Sequence, residues 1–347
     1  MVDVTHTTLS PASRMRAAVL VEPGRIEMQE RPVPRPDPGD VLVRISSVGV
    51  CGSDTHYYRH GRVGGFVVEA PLILGHEAAG TIVDVGENVD RARIGERVSI
   101  EPQRPDPDSD ETRRGLYNLC PHMRFFATPP VDGALCEYVT IGAEFAHRVP
   151  DSVSDDAAAL CEPLSVGIAA VRKAGVDGRS RVLVTGAGPI GIVITQLTRA
   201  YGATDIVVSD PDEARRRQAT SFGATAVLDP TVQPITDLGV DAFIDASGAA
   251  TAVADGIRAV RPAGKVVLVG LGAESMELPT QVIQNRELVL TGVFRYANTW
   301  PTAIALVESG QVDLDAMVTA RFPLERAAEA LDSDRTPGSV KSVVTVS

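Results

Sequence analysis

A thiol, an imidazole and a carboxylate occur in two short stretches, Gly49-Val50-Cys51-Gly52-Ser53-Asp54 and Gly75-His76-Glu77-Ala78-Ala79-Gly80, with His76 placed 25 residues after Cys51. Zn²⁺ accepts all three ligand types. Three protein ligands leave one tetrahedral position open, the layout of a catalytic rather than a structural metal. Each residue alone also has a plainer role: a lone cysteine is a small buried hydrophobe, a His-Glu pair is a packed turn, and Asp54 is a turn former.

A second chemistry is written at Gly186-Ala187-Gly188-Pro189-Ile190-Gly191. This Gly-x-Gly-x-x-Gly directly follows the apolar run Arg181–Val184 and opens a helix-forming segment. The three glycines suit a tight turn, backbone approach to a pyrophosphate, and close helix–strand packing. Unpaired N–H groups at the helix start would meet the phosphates. Asp210 stands 19 residues after Gly191 at the end of the next apolar run. A carboxylate there accepts hydrogen bonds from a ribose diol and repels a 2′-phosphate, which favours NAD over NADP. Arg215 is the counterweight, because an arginine nearby could accommodate NADP; we read it as packing beside the adenine. A metal that polarises an alcohol beside a hydride acceptor describes an alcohol or polyol dehydrogenase.

The elements that position these groups fall into two textures. From Arg16 to about Pro150, short β-rich runs (Arg16–Val21, Asp40–Val48, Glu77–Val85, Arg97–Ile100) alternate with Gly and Pro, as in a Greek-key or barrel-like domain. Cys51 reads as lying in a turn set by Gly49 and Gly52. Pro102 to Pro121 is polar, acidic and Pro-rich, and reads as a long excursion loop. After Asp151, strands expected at Arg181–Thr185, Asp205–Ser209, Thr225–Leu228, Asp241–Asp245 and Lys265–Val269 alternate with helical segments such as Ile190–Tyr201 and Asp212–Phe222. That alternation predicts a parallel, doubly wound α/β sheet. A helix over Thr302–Glu308 and a closing strand over Ser339–Val346 follow.

Bulk properties bound the rest. The chain has 347 residues, enough for two domains, and a formal net charge of −12, which argues against nucleic-acid or anionic-membrane partners. No apolar run is long enough for a transmembrane helix. Met1–Met15 is polar and reads as a disordered extension rather than a signal peptide. The four cysteines, Cys51, Cys120, Cys136 and Cys161, suit reduced thiols in the cytoplasm.

Around the first site the chain resembles the zinc-containing medium-chain dehydrogenases: Gly75-His76-Glu77-x2-Gly80-x5-Gly86-x2-Val89 fits that family's zinc signature throughout. More narrowly, Cys51-Gly52-Ser53-Asp54-Thr55-His56-Tyr57-Tyr58, Gly61-Arg62-Val63-Gly64, Glu162-Pro163-Leu164-Ser165-Val166-Gly167 and the stretch from Gly292 to Pro301 are similar to sorbitol (polyol) dehydrogenases. The resemblance implies a GroES-like catalytic domain (16–162 and 297–347) and a Rossmann NAD-binding domain (163–296). It implies Cys51, His76 and Glu77 as metal positions and Glu162 as a carboxylate that binds the metal directly or through water; which of Glu77 and Glu162 ligates is left open. It implies Ser53 as proton acceptor, His56 as relay, and Asp54 as the partner of the His76 ring N–H. Tyr57, Phe125, Arg295 and Tyr296 are carried over as substrate-pocket residues, Arg295 having an interdomain salt bridge as its alternative. Val269–Gly272, including Leu271, and Phe294 are expected at the nicotinamide end. Cys161 is expected as buried packing.

Many family members carry a second, structural zinc on a Cys-x2-Cys-x2-Cys-x7-Cys frame. The corresponding positions here are Asp106, Ser109, Thr112 and Cys120, a poor tetrahedral cage, so a single zinc is expected. The expected activity is NAD-dependent interconversion of a sugar alcohol and its ketose, by a homodimer or homotetramer joined through the Rossmann sheets. A threonine- or diol-type dehydrogenase on the same fold, and a non-catalytic dinucleotide-binding protein, are the alternatives.

Overall fold

The computed structural model describes residues 13–346. Most of the expected extension 1–15 lies outside them, but its last residues do not extend freely. Arg14 and Met15 open the strand Arg14–Glu22, which pairs antiparallel with Arg25–Pro32. That partner strand, Arg-Ile-Glu-Met-Gln-Glu-Arg-Pro, is an edge strand with Ile26 and Met28 set among charged and polar residues, so hydrophobic alternation marks it only over its first half.

The first domain is built on a sheet ordered Ala146–Arg148, Arg97–Ile100, Glu77–Val85, Asp40–Gly49, Lys341–Thr345, Val318–Pro323, with Tyr138–Gly142 also pairing Asp40–Gly49. Val41, Val43, Ile45, Ile82, Val98 and Ile100 point into one apolar core with Val344 from the chain's far end. The strand Asp40–Gly49 is the hinge of the arrangement. Gly49 sits opposite Glu77 on one side and Val343 on the other. Three segments distant in sequence therefore meet at one end of the sheet.

The second domain is a six-stranded parallel sheet in the order Ala226–Leu228, Asp205–Ser209, Arg181–Thr185, Val240–Asp245, Val260–Leu268, Val289–Gly292. This is the doubly wound order with its switch point at Arg181–Thr185. Period-two alternation explains the two covered faces. Val182 and Val184 enter the core beneath helices Cys161–Ala174 and Pro189–Ala200, while Leu183 enters the core on the opposite face with Phe243, Val253 and Ile257.

The chain leaves this sheet and forms helix Trp300–Glu308, which packs on Cys161–Ala174. Ala303, Ile304 and Leu306 share one core with the helices of the second domain and with Ala79, Val149 and Val153 of the first. Strands Val318–Pro323 and Lys341–Thr345 then join the first domain's sheet. The expected excursion loop contains a short helix, Asp110–Arg113, capped by Ser109, and a 3₁₀ turn, Tyr117–Leu119.

Trp300 locks the two domains together. It is fully buried, its indole N–H donates to Ser99 Oγ at 2.8 Å, and Ser99 Oγ donates to Ala158 O at 2.6 Å. Ser99→Ala would leave the indole N–H buried without an acceptor. It is expected to cost about 1–3 kcal/mol, measured as a lowered urea-unfolding free energy against the wild-type chain.

Candidate active site

Cys51 is the N-cap of helix Gly52–His60, not a residue of a simple turn. The helix has no apolar periodicity to betray it; its buried positions are Asp54, Thr55, Tyr57 and Tyr58. Asp54 ties the start of this helix to the turn before His76. One of its oxygens accepts the Cys51 N–H at 3.2 Å and the other accepts the Gly75 N–H at 3.0 Å. The second oxygen also lies 3.5 Å from His76 Nδ1. Burial alone would raise this carboxyl, but the imidazole and the two amides outweigh burial and hold it below the ordinary aspartate range.

Ligand atoms of Cys51, His76 and Glu77 lie within 4.8 Å of one another. Glu162 is not a member of that cluster. Glu77 is completely buried, and its Oε1 accepts from Lys341 Nζ at 2.5 Å. Its Oε2 is buried with no partner. A charged oxygen is costly to bury alone, so this atom, together with a thiol and an imidazole, fits a divalent cation. Gly49 makes room for it: a Cβ there would stand 2.0 Å from Glu77 Oε2.

Lys341 escaped the sequence reading. Its Nζ also donates to Val50 O at 2.8 Å, and it is 3% exposed. Burial opposes its charge, yet Glu77 and Cys51 keep it protonated, with its pKa raised. The available signal was a lysine inside the apolar run Val340-Lys341-Ser342-Val343-Val344.

Around this cluster the residues expected to line a substrate pocket divide into those that converge and those that do not. The Phe125 ring stands 5.6 Å from the His76 ring and 3.9 Å from the Arg295 guanidinium. Tyr57 is buried near His76 and Arg295. Tyr296 donates its hydroxyl to Glu162 Oε1 at 2.7 Å. Burial pushes the Glu162 carboxyl up to about 7, with His76 pulling it down and Glu77 pushing it further up. Arg295 forms no salt bridge among the described residues; it is sandwiched between Phe125 and Phe294, the latter at 4.8 Å. Its considered role as an interdomain salt bridge is therefore not realised.

Ser53 is half-buried in the first turn of its helix, while His56 is exposed, its ring 5.7 Å from that of His60. No hydrogen bond joins Ser53 to His56 among the described residues. Cys161 is fully buried, its thiol pushed up to about 12 by burial. At the frame of the second metal, Cys120 Sγ accepts the Asp106 N–H at 3.2 Å and Ser109 Oγ donates to Thr112 Oγ1 at 2.9 Å. These four positions form a hydrogen-bonded cluster that organises the lobe.

Residues 37–151 match the alcohol dehydrogenase GroES-like domain and residues 189–309 match the zinc-binding dehydrogenase family. The chain is 42% identical to the sorbitol dehydrogenase of Bos taurus, with 93% of each chain covered, and 42% identical to that of Homo sapiens, with 90% of each covered. A crystal structure of an oxidoreductase/dehydrogenase of unknown specificity from Escherichia coli superposes with a TM-score of 0.90 at 31% identity, covering 96% of this chain and all of the other (100%). The chain belongs to the zinc-binding dehydrogenases.

In this dehydrogenase the dinucleotide turn has the expected context. Gly188 caps helix Pro189–Ala200, with Pro189 at its first position and Ile190 next. Gly191 must lack a side chain, because a Cβ would lie 1.8 Å from Gly186 O. Asp210 is buried and already pins the turn, accepting the Ala187 N–H and the Asp212 N–H at 2.8 Å each. Of the three arginines that follow, Arg216 is engaged with Asp210 O at 2.6 Å and Asp229 at 3.1 Å, Arg217 pairs with Glu213, and Arg215 is exposed. The loop carrying Val269 and Leu271 lies against Gly248, and Leu271 is 71% exposed. Phe294 follows the adjacent strand and is 52% exposed.

Replacing Lys341 by methionine would strand the Glu77 charge. In metal-free protein, Lys341→Met is expected to cost about 3–5 kcal/mol of unfolding free energy, read by urea titration after chelation. A loss under about 1 kcal/mol would mean that Glu77 is neutral there instead.

Proposed function

We propose that this zinc-binding dehydrogenase oxidises a polyol of the sorbitol or xylitol type to its ketose with NAD. One observation carries the reading: Phe125 is a shared wall between His76 and the unpaired Arg295 guanidinium. A cluster suited to a metal and a cation with free N–H donors face the same space. Simple alcohols need no such second group, whereas a polyol presents several hydroxyls that must be paired on burial. The similarity to sorbitol dehydrogenases supports the same substrate class.

Cys51, His76 and Glu77 would hold the metal, Glu77 through its free Oε2. The chemistry Zn²⁺ supplies in such a set is stabilisation of an alkoxide near neutral pH. A bound nicotinamide supplies the hydride acceptor.

The chain's own groups prepare the rest. Asp54 fixes the Cys51 and Gly75 amides and faces His76. Ser53, beside Cys51, takes the hydroxyl proton, and His56, exposed on the same helix, passes it to solvent. Glu162, oriented by the Tyr296 hydroxyl, holds a water or a proton next to Glu77. Arg295, Tyr57, Tyr296 and Phe125 bind and orient the polyol. Gly186, Gly188, Pro189, Ile190 and Gly191 cradle the pyrophosphate, Asp210 takes the ribose diol, and Arg215 covers the adenine. Val269, Leu271 and Phe294 line the nicotinamide end.

The described residues include no helix long and apolar enough to cross a membrane. All four cysteines are free, which supports a cytoplasmic setting. The exposed edge strand Val289–Gly292, with Val289 55% and Leu290 37% exposed, supports homodimers or homotetramers joined through this sheet.

A panel of alcohols, read by the absorbance of reduced cofactor, tests the reading. Sorbitol or xylitol should be oxidised with NAD, and Cys51→Ser should abolish both turnover and zinc retention. Turnover of simple or amino alcohols alone would overturn the polyol assignment.

Cofactor choice has its own check. Asp210→Asn keeps the side-chain size and loses an acceptor. It should weaken NAD binding about tenfold relative to NADP, measured by fluorescence titration of the reduced cofactors.

A further inference from the structure

We infer that Tyr117 and Asn118 are positioning residues for polyol recognition, clamping the backbone of residues 294–298 so that Arg295 is presented beside the metal cluster. The inference rests on the functional reading above and adds to it a lobe that the reading does not use.

The segment after strand Val289–Gly292 is backbone-strained. Arg295 and Asn298 have φ of 55° and 57°, left-handed values that non-glycine residues disfavour. Such conformations persist where surroundings over-determine them. Here the restraints come from the lobe. Asn118 Nδ2 donates to Phe294 O at 2.8 Å, the Asn298 N–H donates to the Tyr117 hydroxyl at 2.7 Å, and Asn298 Nδ2 donates to Gly115 O at 3.0 Å. The clamp therefore grips both ends of the turn that holds Arg295.

Tyr117 is itself anchored. Its hydroxyl donates to Glu101 Oε1 at 2.8 Å. Glu101 is 2% exposed and also accepts from Gln103 Nε2 at 3.0 Å and faces His147 Nε2 at 2.9 Å. Gln103 Nε2 in turn donates to Tyr296 O at 3.1 Å. One buried carboxylate thus fixes the backbone at two points just after Arg295, Tyr296 and Asn298, through two side chains, while Asn118 holds Phe294 before it. Bonds to an ionised acceptor are the stronger kind.

Arg295 needs this help. Its guanidinium rests on two aromatic faces with no carboxylate to fix its direction, so where its donors point follows from where its backbone is held. The lobe is built for that task by its own hydrogen bonds: Asp106 N–H to Cys120, and Ser109 to Thr112. Tyr117 and Asn118 touch neither the metal cluster nor the dinucleotide turn, so they act on substrate recognition through Arg295.

Steady-state kinetics of the zinc-loaded enzyme with NAD, using sorbitol and isopropanol, test this. Tyr117→Phe keeps the ring against Phe145 and removes the hydroxyl that bridges Glu101 and Asn298. It should raise the KM for sorbitol about tenfold, with a much smaller change in kcat and in the isopropanol parameters. Asn118→Ala should act in the same direction, giving a second reading should either variant fold poorly. In an Arg295→Ala background, Tyr117→Phe should add nothing to the sorbitol KM, because both changes remove one function. Additive effects, an equal loss with both alcohols, or an unmoved sorbitol KM in both variants would overturn the inference. If the wild-type enzyme turns over isopropanol and no polyol, the functional reading fails and this inference fails with it; a wild type active on sorbitol with unmoved variants sinks this inference alone.

Discussion

A carboxylate with no solvent access must have its charge answered on both oxygens, and Glu77 sets that demand for the whole first domain. Lys341 answers one oxygen at 2.5 Å, and the other is left facing Cys51 and His76. The sheet order follows the same requirement. Glu77 opens its strand opposite Gly49, whose missing side chain clears the carboxylate, and Lys341 opens the neighbouring strand on Gly49's other side. The chain's last strand returns across the whole sequence and delivers the cation that this carboxylate needs.

Counting ionisable groups explains why a metal suits the site electrostatically. Cys51, Asp54, Glu77 and Glu162 are the acids gathered around it, and Lys341 and Arg295 are the bases. With all of them ionised, four negative charges face two positive ones, and a divalent cation makes up the difference. Without it, burial raises the Glu162 carboxyl to about 7, with Glu77 pushing the same way, and His76 is raised well above its ordinary range, against burial, by Asp54 and Cys51. The same count explains why Arg295 stays available. Glu77 is taken by Lys341 and Glu162 by the Tyr296 hydroxyl, so neither captures the guanidinium. Burial lowers its pKa, but a guanidinium remains charged in any protein setting, and the Phe125 and Phe294 faces partly replace its lost hydration.

What could be read from the sequence was what is local. Gly75-His76-Glu77 carries two ligand types and its turn within three residues, and the glycine-rich turn follows its strand directly, so chemistry and position arrive together. The parallel strands Arg181–Thr185 and Asp205–Ser209 were legible because they are buried on both faces and read as continuous apolar runs. Two things were not. Helix Gly52–His60 buries polar side chains, so its period carries no hydrophobic signal. Lys341 lies 264 residues from Glu77 in sequence, and no spacing rule links them.

The division of labour between the domains bears on how such an enzyme changes substrate. The cluster Cys51, His76 and Glu77 belongs to strands and a helix start with fixed pairing, so any shift there disturbs a sheet. Arg295 and Tyr296 belong instead to the segment that leaves the dinucleotide sheet, and that segment is held by side chains of a surface lobe rather than by a strand ladder. A ladder bond cannot be exchanged one residue at a time without slipping register, whereas side-chain bonds to a turn can. Substitutions in the lobe and turn can therefore move Arg295 while the Cys51, His76 and Glu77 cluster stays as it is. The lobe's internal frame of Asp106, Ser109, Thr112 and Cys120 suits this, because hydrogen bonds hold it in shape and adjust more readily than a tetrahedral cage, whose ligand distances and angles are fixed by the ion.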